Sequence, residues 1–397
     1  MIKDHLIVFF PLVDWDAPWQ RYQQFASAFA NHNKVIYFEP GLSINYFLRR
    51  QDLLWRKLAR SSRIRKQIGK NLFVLHTPPI LPCGNMSRLM NGINQFLLLL
   101  LLKVITRKFK EKKNLCLWIS DAIHYPLVKW LKPKISVYDC TDAIIFGSRR
   151  EQNFHDQMRQ RIIEGSSVSF FTSQLYFKEG RNYSDNCHYV PNGVDLKNFR
   201  RRGYRVPKEM ENMGRPILGF VGTLDARIDQ DIVQEILIKK PEFSLVFVGP
   251  ITDDLHKLKA SDRVFLLGKK DYRNIPDFIN QFDVALIPYR LYENTRHMYP
   301  VKLHEYLILG KPVVSTSLPE VRQFSEAIYI AKDKREFVEK IDQALEEKSE
   351  DVKERRIQIA LANTWNHRLG KIERELGKVA KTRPQVRLKE KGDEIIL

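Results

Sequence analysis

Short apolar runs alternate with amphipathic stretches along most of this chain, and their periods set the fold class. Positions 6–10 (LIVFF) and 34–39 (KVIYFE) are nearly continuous apolar runs of strand length, as expected of strands buried on both faces. Between them, 20–30 places Phe25, Phe29 and small alanines on one side of a helix. Strand, helix and strand within about 35 residues is the unit from which parallel sheets are built. The pattern returns at 72–77, 115–120, 135–139 and 167–172. A second series follows a polar, basic stretch at 199–214, with strands at 216–221, 244–248, 264–267, 284–288 and 312–315 and a helix at 230–238. The expected fold is therefore α/β, two Rossmann-like doubly wound domains. They are placed at 1–198 and 199–372, with a basic tail at 373–397. The segment 335–379 reads as charged amphipathic helices, and the residues after Thr382 as a fraying end. Ligands of open parallel sheets bind beyond the carboxyl ends of the strands, so the cleft between two such facing domains is the expected site.

Composition alters this picture chiefly through charge. A chain of 397 residues is longer than one core usually supports, in keeping with two domains. Its four cysteines are scattered without a C-x-x-C spacing, which points to reduced thiols rather than a disulfide or zinc site. The opening apolar run is too short for a secretory core, and the longest one, 96–105, is interrupted by Lys103 and falls short of the roughly 20 residues that span a bilayer. The expectation is a cytoplasmic protein. Its net charge is +20, and between positions 45 and 113 sixteen lysines and arginines stand against two acids, Asp52 and Glu111. Lipid headgroups and nucleic acid are the two anionic surfaces such a region would meet, an ordinary solvated face being the plain alternative. No nucleic-acid motif or aromatic–basic interleaving accompanies the charge, so the expected partner is an anionic membrane surface, met from the cytoplasmic side, and not nucleic acid. The run 97–102 beside Lys103, Arg107, Lys108, Lys110, Lys112 and Lys113 reads either as a core helix with a basic end or as a helix lying in the bilayer interface. In the second case Trp55 and the cluster at 49–70 would add contact.

The densest chemistry lies at 299–316 (YPVKLHEYLILGKPVVST). Pro300 suits a first helical turn, and Val301, Leu303, Leu307 and Leu309 supply apolar contacts. Gly310 fits a left-handed cap, and Pro312 stops the helix before a strand. Glu305 falls in the middle of this apolar helix with Lys302 one turn before it. A local Lys–Glu pair, worth roughly a few tenths of a kcal/mol, would explain both. A carboxylate near a helix start can also accept hydrogen bonds from the two hydroxyls of a ribose. The N–H groups at that start, with Arg296, His297 and Lys302 as local cations, can meet a diphosphate.

In order and spacing, Pro300, Lys302, Glu305, Tyr306, Gly310, Lys311, Pro312, Val313 and Val314 resemble a stretch of the GT-B glycosyltransferases of family four. They resemble in particular the bacterial polysaccharide-assembly branch that includes teichuronic acid proteins. Further segments agree in order: 190–195 (VPNGVD) at the end of the first domain, 219–224 (GFVGTL) at the first strand and turn of the second, then 247–250, 265–268 and 282–288. Near the start, Asp14, Trp15, Asp16 and Arg21, and later 138–142 (YDCTD), are similar as well. Two departures stand out. His297 occupies the position of the first glutamate of the family's paired-glutamate motif, and Thr223 follows Gly222 where a Gly-Arg pair is common, leaving Arg227 as the nearest cation.

The resemblance implies a hexosyltransferase-type enzyme that moves a sugar from a nucleotide-sugar to a glycan or lipid-linked acceptor of surface polysaccharide, with retained anomeric configuration and no metal cofactor. Glu305 would hold the ribose. Lys302, Arg296 and Arg227 would meet the diphosphate, with Gly222, Thr223 and Val301 beside them. His124 and Asp142 are the catalytic candidates, and Asp14, Asp16 and Arg21 line the cleft on the acceptor side. Plain structural readings stand next to several of these: a buried histidine for His124, and turn formation or capping for Asp139, Asp142 and Asp229. Asp14-Trp15-Asp16 also has the form of an Asp-x-Asp metal clamp, but so does Asp229-Gln-Asp231, and such triplets arise by chance. The missing paired glutamate leaves a second function open, a non-catalytic scaffold of a polysaccharide assembly pathway that keeps the fold and binds glycan or nucleotide. Oligomeric state is not legible.

Overall fold

The computed structural model describes residues 2–41, 66–77, 80–141, 144, 148–201, 203–256, 258 and 261–381. Asp142, Trp55 and most of the basic cluster at 49–70 lie outside them. The described chain divides into two compact units, one drawn from Met1–Ala17, Tyr22–Val190 and Leu369–Leu397, the other from Pro18–Arg21 and Pro191–Arg368.

Apolar runs too short for helices and rich in branched residues pair as the strands of two sheets. In the first unit β1 (Leu6–Phe10), β2 (Lys34–Glu39), β3 (Lys66–Gln67), β4 (Leu72–His76), β5 (Leu115–Ile119), β6 (Ile135–Cys140), β7 (Val168–Phe171) and β8 (Cys187–Tyr189) lie in the order β3-β4-β2-β1-β5-β6-β7-β8. All pairs are parallel except the antiparallel edge strand β3. β1 lies between β2 and β5, so the winding direction reverses there, and ligands of such sheets collect beyond the strand ends at that reversal. Both faces are covered. Phe9, Phe25, Phe29 and Phe170 surround the Trp118 ring on one side. Leu98, Leu99 and Leu102 of the helix Arg88–Thr106 join Val8, Phe10, Leu117 and Ile119 in the core on the other.

The second unit is a six-stranded, wholly parallel sheet, β11-β10-β9-β12-β13-β14, formed by β9 (Ile217–Val221), β10 (Ser244–Val248), β11 (Val264–Leu266), β12 (Val284–Ile287), β13 (Val313–Thr316) and β14 (Tyr329–Ala331). Its winding reverses at β9, between β10 and β12. The doubly wound α/β class expected from the strand pattern is thus present twice.

Three elements differ from the expectations. The division falls at Val190–Pro191, a few residues before the 198/199 boundary placed from the sequence. The helix Trp365–Lys381 runs through position 373, where a tail was expected, and its residues from Leu369 onward belong to the first unit. Burial of Ile372 and Leu376 one turn apart, a 2.8 Å bond from Lys371 Nζ to the Tyr189 carbonyl, and the Glu375–His188 pair at 3.6 Å hold it there. The apolar stretch at 96–105 is part of a helix reaching back to Arg88, capped by Ser87 and 19 residues long, so by length and composition it could cross a membrane. Asn91, Asn94 and Gln95 concealed this by breaking the apolar run. In the fold they face inward and bond to Ile123, Leu81 and His124.

Candidate functional site

The helix Val301–Ile308 follows the strand β12, on one side of the reversal point of the second sheet. Pro300 precedes it with no side chain capping its first turn, and Gly310, at φ +67°, ends it in the left-handed conformation expected. Tyr306 fixes its distance from the sheet: its phenolic oxygen accepts the N–H of Val221, the last residue of β9, at 2.8 Å. Asn192 Nδ2 donates to the Tyr299 carbonyl at 2.9 Å, tying the segment just before the helix, while Asn192 Oδ1 is buried and, among the described residues, accepts nothing.

Gly222 follows β9 at φ +137° and carries no side chain for a physical reason: a Cβ there would lie 2.7 Å from Lys302 Nζ. Behind it, a Cβ on Gly249 (φ +155°) would meet the Gly222 carbonyl oxygen at 1.9 Å. The two glycines thus let the turns after β9 and β10 close up under the lysine. Lys302 Nζ donates to the Tyr289 hydroxyl and sits 4.0 Å from the centroid of Phe220 and 4.6 Å from that of Tyr289. Burial, and then the charge of Arg227, bring its pKa down to about 7. Arg227 lies over the Tyr289 ring at 5.8 Å and is held by Asp225 through Nε at 2.8 Å and Nη2 at 2.5 Å.

Glu305 is 7% exposed, and among the described residues nothing donates a hydrogen bond to its carboxylate. Burial pushes its pKa up to about 7; the charge of Lys302 opposes the rise and that of Asp195 adds to it. The local Lys–Glu pair allowed by the sequence is therefore not the arrangement found, since the lysine amine is turned to Tyr289. A buried carboxylate left in this state costs free energy that a ligand donating two hydroxyls would offset.

The structure brings Gly222, Arg227 and Lys302 into one cluster, with Glu305 one turn along the same helix as Lys302. Val301 opens that helix, and Thr223 follows Gly222 in the turn. Arg296 is mostly exposed on the short helix Glu293–Arg296 and is 3.6 Å from Glu293. Tyr289 and Phe220, which shape the lysine's surroundings, were not singled out from the sequence. The signal was their place at strand ends flanking the reversal point.

In the first unit, His124 lies beyond β5 with its ring 4.7 Å from that of Phe10 at the end of β1, and Nδ1 is 2.9 Å from Gln95 Oε1. Burial lowers its pKa. Asp14 is half-buried and Asp16 exposed, while Arg21, counted with the second unit, is buried at the start of the helix Arg21–Phe29. Asp14 and Asp16 both act electrostatically on Glu39, a buried residue ending β2 that accepts the Trp15 N–H at 2.9 Å and pairs with His76 at the end of β4. Asp139 is not in a loop: it is the next-to-last residue of β6, fully buried, and accepts the Trp118 indole N–H at 3.2 Å. Asp229 caps the helix Gln230–Lys239 through the N–H groups of Asp231 and Ile232. Among the described residues no group of three or more His, Cys, Asp or Glu side chains is placed to hold a metal ion.

Two parallel-sheet Rossmann-like units make up the GT-B fold. Residues 215–347, spanning the whole second sheet, match the family described as glycosyl transferases group 1, and the chain is a glycosyltransferase. It is 24% identical over 290 residues, 67% of this chain and 72% of the other, to TuaH of Bacillus subtilis (strain 168), which is named as a teichuronic acid biosynthesis glycosyltransferase. Among solved structures it is similar to a sucrose-phosphate synthase from Thermosynechococcus elongatus, with a TM-score of 0.69, 15% identity, and coverage of 94% of this chain and 99% of the other. Anabaena HepE, solved in complex with UDP and glucose, matches with a TM-score of 0.63 at 13% identity over 96% of this chain and all of that one. These structural likenesses establish the fold alone.

Proposed function

We propose that this glycosyltransferase moves a sugar from a nucleotide-sugar to a glycan or lipid-linked acceptor of a bacterial surface polysaccharide, at the cytoplasmic face of the membrane and with retained configuration. The observation that carries the donor half is Glu305, buried with no hydrogen-bond donor among the described residues, on the helix that begins beside the reversal point. In this reading its carboxylate accepts both ribose hydroxyls. Lys302, Arg227 and the uncapped N–H groups from Val301 onward meet the diphosphate, next to Gly222 and Thr223. The leaving group is stabilised by these fixed charges and dipoles, so the reading needs no metal ion. His124 and Asp142 remain the residues proposed near the reacting sugar, and Asp14, Asp16 and Arg21 those proposed on the acceptor side. TuaH supports the surface-polysaccharide assignment through its name, and the charge of +20 supports an anionic membrane.

A thermal-shift panel of nucleoside diphosphates and nucleotide-sugars, beginning with the uridine series because HepE was solved with UDP, tests the donor site. Wild type should be stabilised by at least one nucleotide, and Glu305→Ala should lose roughly a hundredfold in its affinity, the scale of two charge-assisted hydrogen bonds. If the variant responds as wild type does, the ribose assignment is wrong. If a nucleoside diphosphate binds but no donor is ever hydrolysed or transferred, the scaffold reading replaces transfer.

A further inference from the structure

The helix Arg88–Thr106 has two faces of opposite character. Toward the sheet it presents Leu98, Leu99 and Leu102 to the core and satisfies its polar inner residues completely: Asn91 Nδ2 donates to the Ile123 carbonyl at 3.0 Å, and Asn94 exchanges bonds with Leu81 at 2.8 and 3.0 Å. Gln95 Nε2 donates to Asn91 at 3.1 Å, and Gln95 Oε1 meets His124. On the other side Leu89, Ile93, Phe96, Leu97, Leu100 and Val104 are all between 38% and 66% exposed. At ~100° per residue these six project within roughly 100° of one another, and the row from Leu89 to Val104 is about 22 Å long. A continuous apolar stripe of that kind on a folded surface marks a contact surface.

Charge selects the partner. Lys103, Arg107 and Lys108 edge or continue the stripe, and Lys110, Lys112 and Lys113 follow in the next turn, all exposed, with Glu111 the one acid among them. Leucine and phenylalanine on one face of a helix, with basic residues along its rim, suit a surface that is apolar below and anionic above. The inner-face bonds rule out a spanning arrangement, because crossing the bilayer would strip Asn91, Asn94 and Gln95 of their partners. We infer that this helix lies in the plane of an anionic lipid bilayer, its outer stripe among the acyl chains and its basic end at the headgroups. The inference rests on the membrane reading of the proposed function and names the element that makes the contact.

Flotation of the full chain with vesicles tests it, using phosphatidylcholine alone and phosphatidylcholine mixed with phosphatidylglycerol. Wild type should float with the mixture and not with the neutral lipid. Phe96→Ser/Leu100→Ser, at exposed positions, should keep the melting temperature and the nucleotide response while losing about tenfold or more in vesicle binding. Lys108→Glu/Lys112→Glu should weaken binding as well, most strongly at low salt. Undiminished binding by the Phe96/Leu100 variant would remove the helix as the seat of contact and leave the membrane reading intact. Failure of wild type to float would remove both, without touching the donor site. A dimer in sedimentation velocity that the same variant abolishes, with no vesicle binding, would make the stripe a self-association surface instead.

Discussion

The carboxyl ends of the two sheets hold their ionisable groups in different ways. Beyond the first sheet several polar side chains answer one another: Glu39 is met by His76 and the Trp15 N–H, Asp121 lies 3.4 Å from His155, and His124 is bonded to Gln95. At the second reversal point Glu305 has no donor among the described residues, and the ammonium of Lys302, bonded to a phenol, rests on two aromatic faces. Both are held with pKa values of about 7 where an ordinary carboxyl would lie near 4.5 and an amine near 10.5. Side chains paired in this way need no ligand to satisfy them. A carboxylate and a cation on one helix, each desolvated and incompletely paired, are stabilised by a molecule that brings hydroxyls and phosphates together.

This contrast can be broken most directly at the lysine. Lys302→Met should weaken a nucleoside diphosphate roughly a hundredfold, the scale of a buried charge-assisted contact, and should leave the affinity of the nucleoside without phosphates nearly unchanged. Equal losses for the two by calorimetry would mean that Lys302 only shapes the pocket. The next effect concerns pH. The carboxylate must be ionised to accept ribose hydroxyls, and it protonates as pH falls through about 7; the amine must be charged to meet phosphate, and it loses its proton as pH rises through about 7. Donor affinity should therefore peak near neutrality and fall toward tenfold per pH unit on either side. Glu305→Gln should lower the maximum and abolish the acid limb alone; a flat profile in wild type would contradict the poised pair. The smallest effect belongs to the first unit. Gln95→Leu should cost about 1–2 kcal/mol of stability in urea unfolding by leaving His124 Nδ1 and Asn91 short of a partner, while donor affinity stays the same. A change in nucleotide affinity would show that the first network is not self-contained.

Much of this could be read from the residues in order, and the reasons it stops are physical. Strands such as LIVFF and SLVFV are buried on both faces, so their composition announces them. The helix holding Glu305 was legible because Pro300 and Gly310 mark its ends within a few residues. The state of Glu305 was not, since Lys302 one turn away offered an adequate partner on paper. Only the fold shows that amine drawn to Tyr289, thirteen residues back in the chain. Asp139 looked like a loop carboxylate because it precedes a polar stretch, yet it serves a buried indole. The outward stripe of the helix Arg88–Thr106 was hidden for the opposite reason: its leucines run together in sequence, and only the sheet decides which of them it covers.

The helix Trp365–Lys381 begins in one unit and finishes in the other, and this bears on how the protein is made. The second unit, apart from four residues at Pro18–Arg21, is one unbroken length of chain, so it can assemble as soon as it leaves the ribosome. The first has all eight of its described strands available much earlier. It nevertheless waits for the stretch from Leu369 onward to cover Tyr189 and His188 with Lys371 and Glu375. The part synthesised first is completed last, and an N-terminal fragment ending at Val190 would be released with one of its surfaces unfinished.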